Sequence, residues 1–357
     1  AQIQDVSDRI KTSKLFVEKK PAAYEFTQSK ATLFTYAKSN KINNINGIIG
    51  IQPNSDGQVQ FTGNLEIDLI NSLNYGESFE FNWRRMFNSS QNLIIQADLP
   101  YLFKSDFGIS SGINMIKKDT SFFNIQSNIG INYRIKNSYS IGVFYSLIGS
   151  TNLLQGNYNS TNVNDFGFKI FFNKLSDPYN PIKGSIINLS IQTGVKNTIV
   201  NDNNQNITQN TPNYQANIDA AQYIKTSNRS TIKLRIKGST LINENLFENE
   251  LNRIGGCQSI RGFDEESIWV SSYLMSNIEF RLLFDKKSNV FLFSDWAWTE
   301  KNIIGQYQKE WYTGFGIGTH FSLPNGLLTI IYSLGKNINN SFLIKTGKIH
   351  LGFTSYF

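Results

Sequence analysis

From about residue 45 to its last residue this chain alternates apolar and polar positions, pausing only at turns. Between residues 58 and 69, Val59, Phe61, Leu65, Ile67 and Leu69 share one face, and Gln58, Gln60, Thr62, Asn64, Glu66 and Asp68 share the other. Phe79, Phe81 and Trp83 alternate with Glu80, Asn82 and Arg84; Leu274, Ile278, Phe280 and Leu282 alternate with Tyr273, Asn277, Glu279 and Arg281. The last segment gives Ile349, Leu351, Phe353 and Phe357 on one side. A period of two is the signature of a strand whose faces see different surroundings. Soluble sandwiches alternate too, so the connections carry the decision. Short links (residues 71–77, 136–139, 225–229, 285–288 and 324–326) alternate with longer polar ones (150–164, 196–213, 243–267, 300–308 and 335–345). Short turns on one rim and long loops on the other are the plan of a bacterial transmembrane barrel. The segments number about sixteen, each near the ~9–11 residues of a tilted span. An even count puts both strand ends on the short-turn, periplasmic rim. Only closure spares strands an edge of unpaired peptide groups in hydrocarbon.

Composition agrees where it bears on this plan. A mean hydropathy of −0.30 is compatible with a membrane barrel, because lipid-facing and lumen-facing residues average out. No apolar run approaches the ~18 residues of a helical span. The 27 Phe and 16 Tyr suit interfacial girdles, as do Trp83, Trp269, Trp296, Trp298 and Trp311, with core packing the alternative for at least one. A net charge of +7 is scattered along the chain, which argues against nucleic acid as a partner. Cys257 is the single cysteine and His320 and His350 the only histidines. No segment places a base beside a nucleophilic serine, no ligand spacing suits a metal, and no glycine-rich phosphate loop leads from strand to helix. The chain therefore reads as a non-enzyme with no cofactor and no metal. Residues 1–43 differ: Val6 to Phe16 has helical spacing, and short strands are expected at Ala23–Thr27 and Ala31–Ala37. That is too little to bury a core. It reads as a short α+β periplasmic remnant ahead of an all-β, 16-stranded antiparallel barrel over 44–357.

One loop, over 244–267, departs from the rest. Gly255, Gly256, Cys257, Gln258, Ser259, Ile260, Arg261, Gly262 and Phe263 join a flexible approach, a permanent cation and an aromatic. Inside a barrel a guanidinium needs carboxylates, and strand phase puts two acids inward. Glu279 shares its face with Tyr273, Asn277 and Arg281, while Asp295 is out of phase with Trp296 and Trp298.

Ser259-Ile260-Arg261-Gly262-Phe263, then Asn277-Ile278-Glu279-Phe280-Arg281, then Phe293-Ser294-Asp295, in that order, resemble the BamA/TamA family of outer-membrane proteins. That surface-antigen barrel superfamily includes the two-partner-secretion translocators and the organellar sorting-machinery barrels. Asp177-Pro178-Tyr179-Asn180-Pro181-Ile182-Lys183-Gly184 resembles its mid-barrel periplasmic turn, and the N-terminal segment resembles the tail of a POTRA domain. The resemblance implies a bacterial outer-membrane barrel, with both termini periplasmic, that inserts outer-membrane proteins or translocates polypeptides. Its partners would be outer-membrane lipids, unfolded β-barrel or exported polypeptide clients, and periplasmic or lipoprotein accessory subunits. It implies that Arg261 reaches Asp295 and Glu279, holding Ile260, Arg261, Gly262 and Phe263 in the lumen, with Gly255 and Gly256 as hinge. The bland alternative is a solvated loop charge. It also implies a lateral seam between the first strand, carrying Gly47 and Gly50, and the last, carrying Phe353 and Phe357. A static closing pair is the alternative there, and a passive channel or structural barrel within a larger complex is the alternative for the whole.

Overall fold

In a computed structural model the chain closes its own sheet into a ring. The structure describes residues 16–39, 43–53, 59–85, 90–136, 138–153, 160–177, 180–202, 205–285, 287–323, 326–337 and 347–356. An antiparallel hairpin comes first, β1 (Phe16–Phe26) and β2 (Ala31–Ser39). The two expected strands are thus present, the first starting earlier than Ala23. The rest of the helix expected at Val6 to Phe16 lies outside the described residues.

The barrel opens with β3 (Asn44–Pro53), β4 (Val59–Ile70), β5 (Ser78–Arg85), β6 (Gln91–Leu99) and β7 (Phe107–Lys118). It continues with β8 (Phe122–Lys136), β9 (Tyr139–Asn152), β10 (Thr161–Leu175), β11 (Gly184–Asp202), β12 (Gln205–Lys225) and β13 (Ser230–Ile242). Two three-residue strands, β14 (Asn252–Ile254) and β15 (Ile268–Val270), pair with each other and stay out of the wall. The wall resumes with β16 (Ser272–Leu283), β17 (Asn289–Ile303), β18 (Gln306–Leu323), β19 (Gly326–Lys336) and β20 (Lys348–Tyr356). All sixteen wall strands run antiparallel, and β20 closes on β3.

Burial along a strand shows which way the wall faces. In β16 the apolar Leu274, Ile278, Phe280 and Leu282 are exposed, whereas Asn277, Glu279 and Arg281 are buried. In β17, Leu292 and Trp296 are exposed and Asp295 has no exposed surface at all. A soluble sandwich would show the reverse. Apolar groups outside and charges inside are what hydrocarbon around a polar lumen demands. Trp298 sits directly across from Trp311 on the outer face. Trp269 takes the other course expected of one tryptophan and packs edge-on against Phe122, ring centroids 6.0 Å apart.

The rims match the sequence reading on one side better than on the other. At most seven residues separate β4 from β5, β8 from β9, β12 from β13, β16 from β17 and β18 from β19. Two of the connections expected to be long are not. The ladder of β11 and β12 runs on to Asp202 and Gln205, and β17 and β18 turn at Ile304-Gly305, with Gly305 at φ 75°. Polar residues past the bilayer can still pair their backbones, so the ladder outlasts the apolar signal that would mark it.

The mid-barrel turn before β11 is tied into the short-turn rim. Asn180, 3% exposed, donates from Nδ2 to the carbonyls of Asp285 and Ser288 and accepts from Asn289 Nδ2 at 3.1 Å. Pro178 and Tyr179 of that turn lie outside the described residues.

Candidate functional site

The chain between β13 and β16 does not stand out from the rim; it folds back into the bore. Ile254, Ile260, Ile268 and Val270 from this segment pack with Met275, Ala297 and Tyr312 of the wall, flanked by Phe263 and Tyr273. Ile260 is fully buried. Phe263 meets Tyr312 edge to face, centroids 5.3 Å apart. A small apolar core inside a polar lumen is what allows this loop to hold a shape of its own. Gly255 and Gly256, the expected hinge, have φ of 114° and 93°, which suit glycine alone. The Gly255 amide donates to Ser259 Oγ and the Cys257 amide to Glu265, so the bend is closed by its own side chains.

Arg261 is the centre of the site. Its backbone N–H and Nε both donate to Asp295 Oδ2, at 3.1 and 2.7 Å, and Nη2 donates to Oδ1 at 2.6 Å. Nη1 donates to Glu279 Oε1 at 3.0 Å. The guanidinium carbon also stands 3.6 Å from the centroid of the Phe293 ring, close enough for a cation–π contact. Glu279 is shared: Arg281 donates to its other oxygen from Nε at 2.8 Å, and Lys233 approaches at 3.4 Å. Two carboxylates thus meet three cations, all with little exposed side-chain surface. Such an assembly fixes geometry more than it adds stability, because desolvation offsets much of the attraction. The structure therefore brings Arg261, Glu279 and Asp295 together, and the arginine is not a solvated loop charge.

Backbone approaches complete the seating. A Cβ on Gly314, the residue paired with Asp295 across β17 and β18, would stand 2.1 Å from the Arg261 carbonyl oxygen. Gly262, at φ 96°, lies against Gly335 of β19, where a Cβ would fall 2.5 Å from the Gly335 nitrogen. Glycines on both sides let the loop touch the wall main chain to main chain. Sequence reasoning missed Gly314, Gly335, Phe293, Arg281 and Lys233 as parts of this site. Arg281 could have been found, since it shares the inward face of Glu279; the two glycines carry no signal apart from contact with the loop.

The seam is a second feature. Among the described residues β20 meets β3 at only two pairs, Ser355 with Ile45 and Tyr356 with Asn44. By contrast β3 pairs with β4 at ten positions, Asn44 to Pro53. Gly47 and Gly50 face Leu65 and Thr62 on the β4 side, and Phe353 faces Leu328 of β19. These three seam residues lie on the seam strands but beyond the paired rungs, and Phe357 lies outside the described residues. Beneath the loop and beside the seam is a polar cavity of about 580 Å³, reached by Asn46, Glu66, Arg235, Arg281, His320 and His350. Among the described residues no cluster of His, Cys, Asp and Glu is arranged to hold a metal.

A family model described as the Omp85 superfamily domain matches residues 70–353. The chain belongs to the Omp85 superfamily. That makes it an outer-membrane β-barrel, in line with its inverted burial. No curated protein sequence matches it. Among solved structures it resembles BamA from Haemophilus ducreyi lacking POTRA domains 1–3, with TM-score 0.57 and 18% identity over 99% of this chain and 77% of that one. It also resembles CdiB from Acinetobacter baumannii, with TM-score 0.61 and 13% identity over 96% and 66%. CdiB from Escherichia coli gives 0.58 and 13% over 98% and 69%. At identities this low, the likeness of this Omp85 barrel to those proteins establishes a shared fold and nothing more.

Proposed function

We propose that this Omp85 barrel handles polypeptides, inserting outer-membrane proteins or translocating exported chains through a lateral seam between β3 and β20. The observation that carries the reading is the two-pair closure of an otherwise full ladder ring, beside a loop locked to the neighbouring wall. A seam joined by so few backbone hydrogen bonds offers an edge to an incoming strand, and strand addition is a general mode of peptide recognition. Gly47 and Gly50 weaken β3 further by packing no side chain. The loop lock, Ile260 to Phe263 on Glu279 and Asp295, braces β16 to β19 so that movement concentrates at the seam. No covalent chemistry is required.

In this reading the short-turn rim is periplasmic and both termini lie there. Residues 1–43 are assigned as a POTRA-like periplasmic segment ahead of a barrel over 44–357. Unfolded β-barrel or exported polypeptides are the clients, lipids contact the exposed apolar wall, and periplasmic or lipoprotein subunits dock from below. The passive-channel reading draws on the polar cavity beneath the loop. Reconstitution in liposomes separates the two. Faster folding of an added client barrel, or passage of an added unfolded polypeptide into the liposomes, is expected; ion conductance with neither would transfer the assignment to a channel.

A further inference from the structure

We propose that the lumenal loop is held by a second latch, Glu250 on Lys196, and that this latch seals the loop-rim half of the bore. Lys196 lies on β11 with its side chain fully buried, and its Nζ donates to the Glu250 carboxylate and, at 2.5 Å, to the Asn245 carbonyl. Glu250 also accepts from Thr161 Oγ1 and from the Phe247 amide. Its neighbour Asn249, 1% exposed, donates to Ser150 Oγ of β9 and accepts at its carbonyl from Asn124 Nδ2 of β8 at 2.6 Å.

The Asn249 contacts lie on the far wall from Arg261, and Lys196 on β11 stands between the two, three places from β16 in the ring. In the ring order β8 and β18 are eight places apart among sixteen, so they face each other across the bore. The loop that Gly262 and Arg261 press onto β18 and β19 therefore reaches the opposite wall through Asn249, and Lys196 holds the adjoining Glu250 from the side. It crosses the lumen held at both ends. A lysine without exposed surface has lost its hydration, and only paired partners make that tolerable.

The two latches also carry opposite polarity. At one the loop supplies the cation and the wall the carboxylates; at the other the loop supplies the carboxylate and the wall the cation. A loop seated in reverse would set Glu250 against Glu279 and Asp295, and Arg261 against Lys196. Like-charge juxtaposition of that kind is a strong means of excluding wrong arrangements. The pair thus fixes the direction in which the loop spans the bore.

The inference rests on the barrel geometry of the reading above and not on client handling, so the two fail separately. Barrels carrying Lys196→Met, Glu250→Gln, or the reversal Lys196→Glu with Glu250→Lys would be reconstituted in planar bilayers. Heat-shifted gel mobility would confirm closure. A parallel set with Cys257→Ser and Asn245→Cys would be labelled with a water-soluble maleimide. Each single variant is expected to raise mean conductance at least tenfold and to speed labelling; the reversal, which re-forms the ion pair but not the bonds to the Asn245 carbonyl and from the Phe247 amide, is expected to bring both below the single variants. If Lys196→Met fails to close, Glu250→Gln, which keeps the side-chain shape, decides alone. Unchanged conductance in closed single variants, or a reversal no tighter than either single variant, would overturn the proposal.

Discussion

Asp295 and Glu279 do unequal work for Arg261. Asp295 accepts three of the four hydrogen bonds from that residue, including one from its main chain, and is wholly buried. Glu279 accepts one and has Arg281 and Lys233 as further partners. Asp295→Asn is therefore expected to release the loop and Glu279→Gln to loosen it less. Leaving one charge of a buried pair without its partner costs about 3–5 kcal/mol, so Asp295→Asn should also lower the thermal midpoint of the barrel. Protease cleavage within residues 255–263, compared across the two variants, checks the order; equal protection in both would contradict it. The inward phase of Asp295 and Glu279 was legible in the sequence because lipid selects one face of every strand. Their joint grip on Arg261 was legible only through the family motifs. Lys196 and Glu250 were not: they are 54 residues apart, on a strand and a loop that no local pattern joins.

At the scale of elements, the turns of the short-turn rim are more structured than their brevity suggests. In the β16–β17 turn Asp285 Oδ1 accepts from the amides of Lys287 and Ser288, at 2.7 and 2.6 Å, and Oδ2 accepts from Ser288 Oγ. Donation from the Lys287 amide, then from the Ser288 hydroxyl and amide, holds the Asp285 carboxyl below its ordinary pKa. A carboxylate stabilised in the folded state contributes above its unfolded pKa of about 3.9, and the contribution disappears as pH falls through the lower folded value. Wild type is therefore expected to exceed Asp285→Asn in urea midpoint at neutral pH, with the gap closing below about pH 4. A gap that persists at pH 2 would refute this account of the turn. The turn positions themselves were readable, since glycine, asparagine and aspartate punctuate the apolar alternation. Strand ends beyond the bilayer were not, because β11 and β12 keep pairing after the reason for alternation has gone. The three-residue β14 and β15 fall below any periodic signal.

For the whole molecule the test lies at the closure. Ile45 and Ser355 are Cα partners, so a disulfide there would join β3 to β20 at an existing rung. In a Cys257→Ser background, Ile45→Cys with Ser355→Cys is expected to leave barrel closure intact and to abolish client folding when oxidised, with recovery on reduction. Full activity in the oxidised form would mean a rigid wall. The ring also has a mechanical consequence. A hoop under uneven load strains most at its weakest joint, and among the described residues fifteen joints are ladders and one is two rungs long. A bilayer thinner or thicker than the wall loads such a hoop, at a cost of fractions of a kcal/mol per ångström. On the lateral-seam reading proposed above, that load converges on the line between β3 and β20, so the thickness of the surrounding lipid becomes a setting that decides how readily the hoop parts.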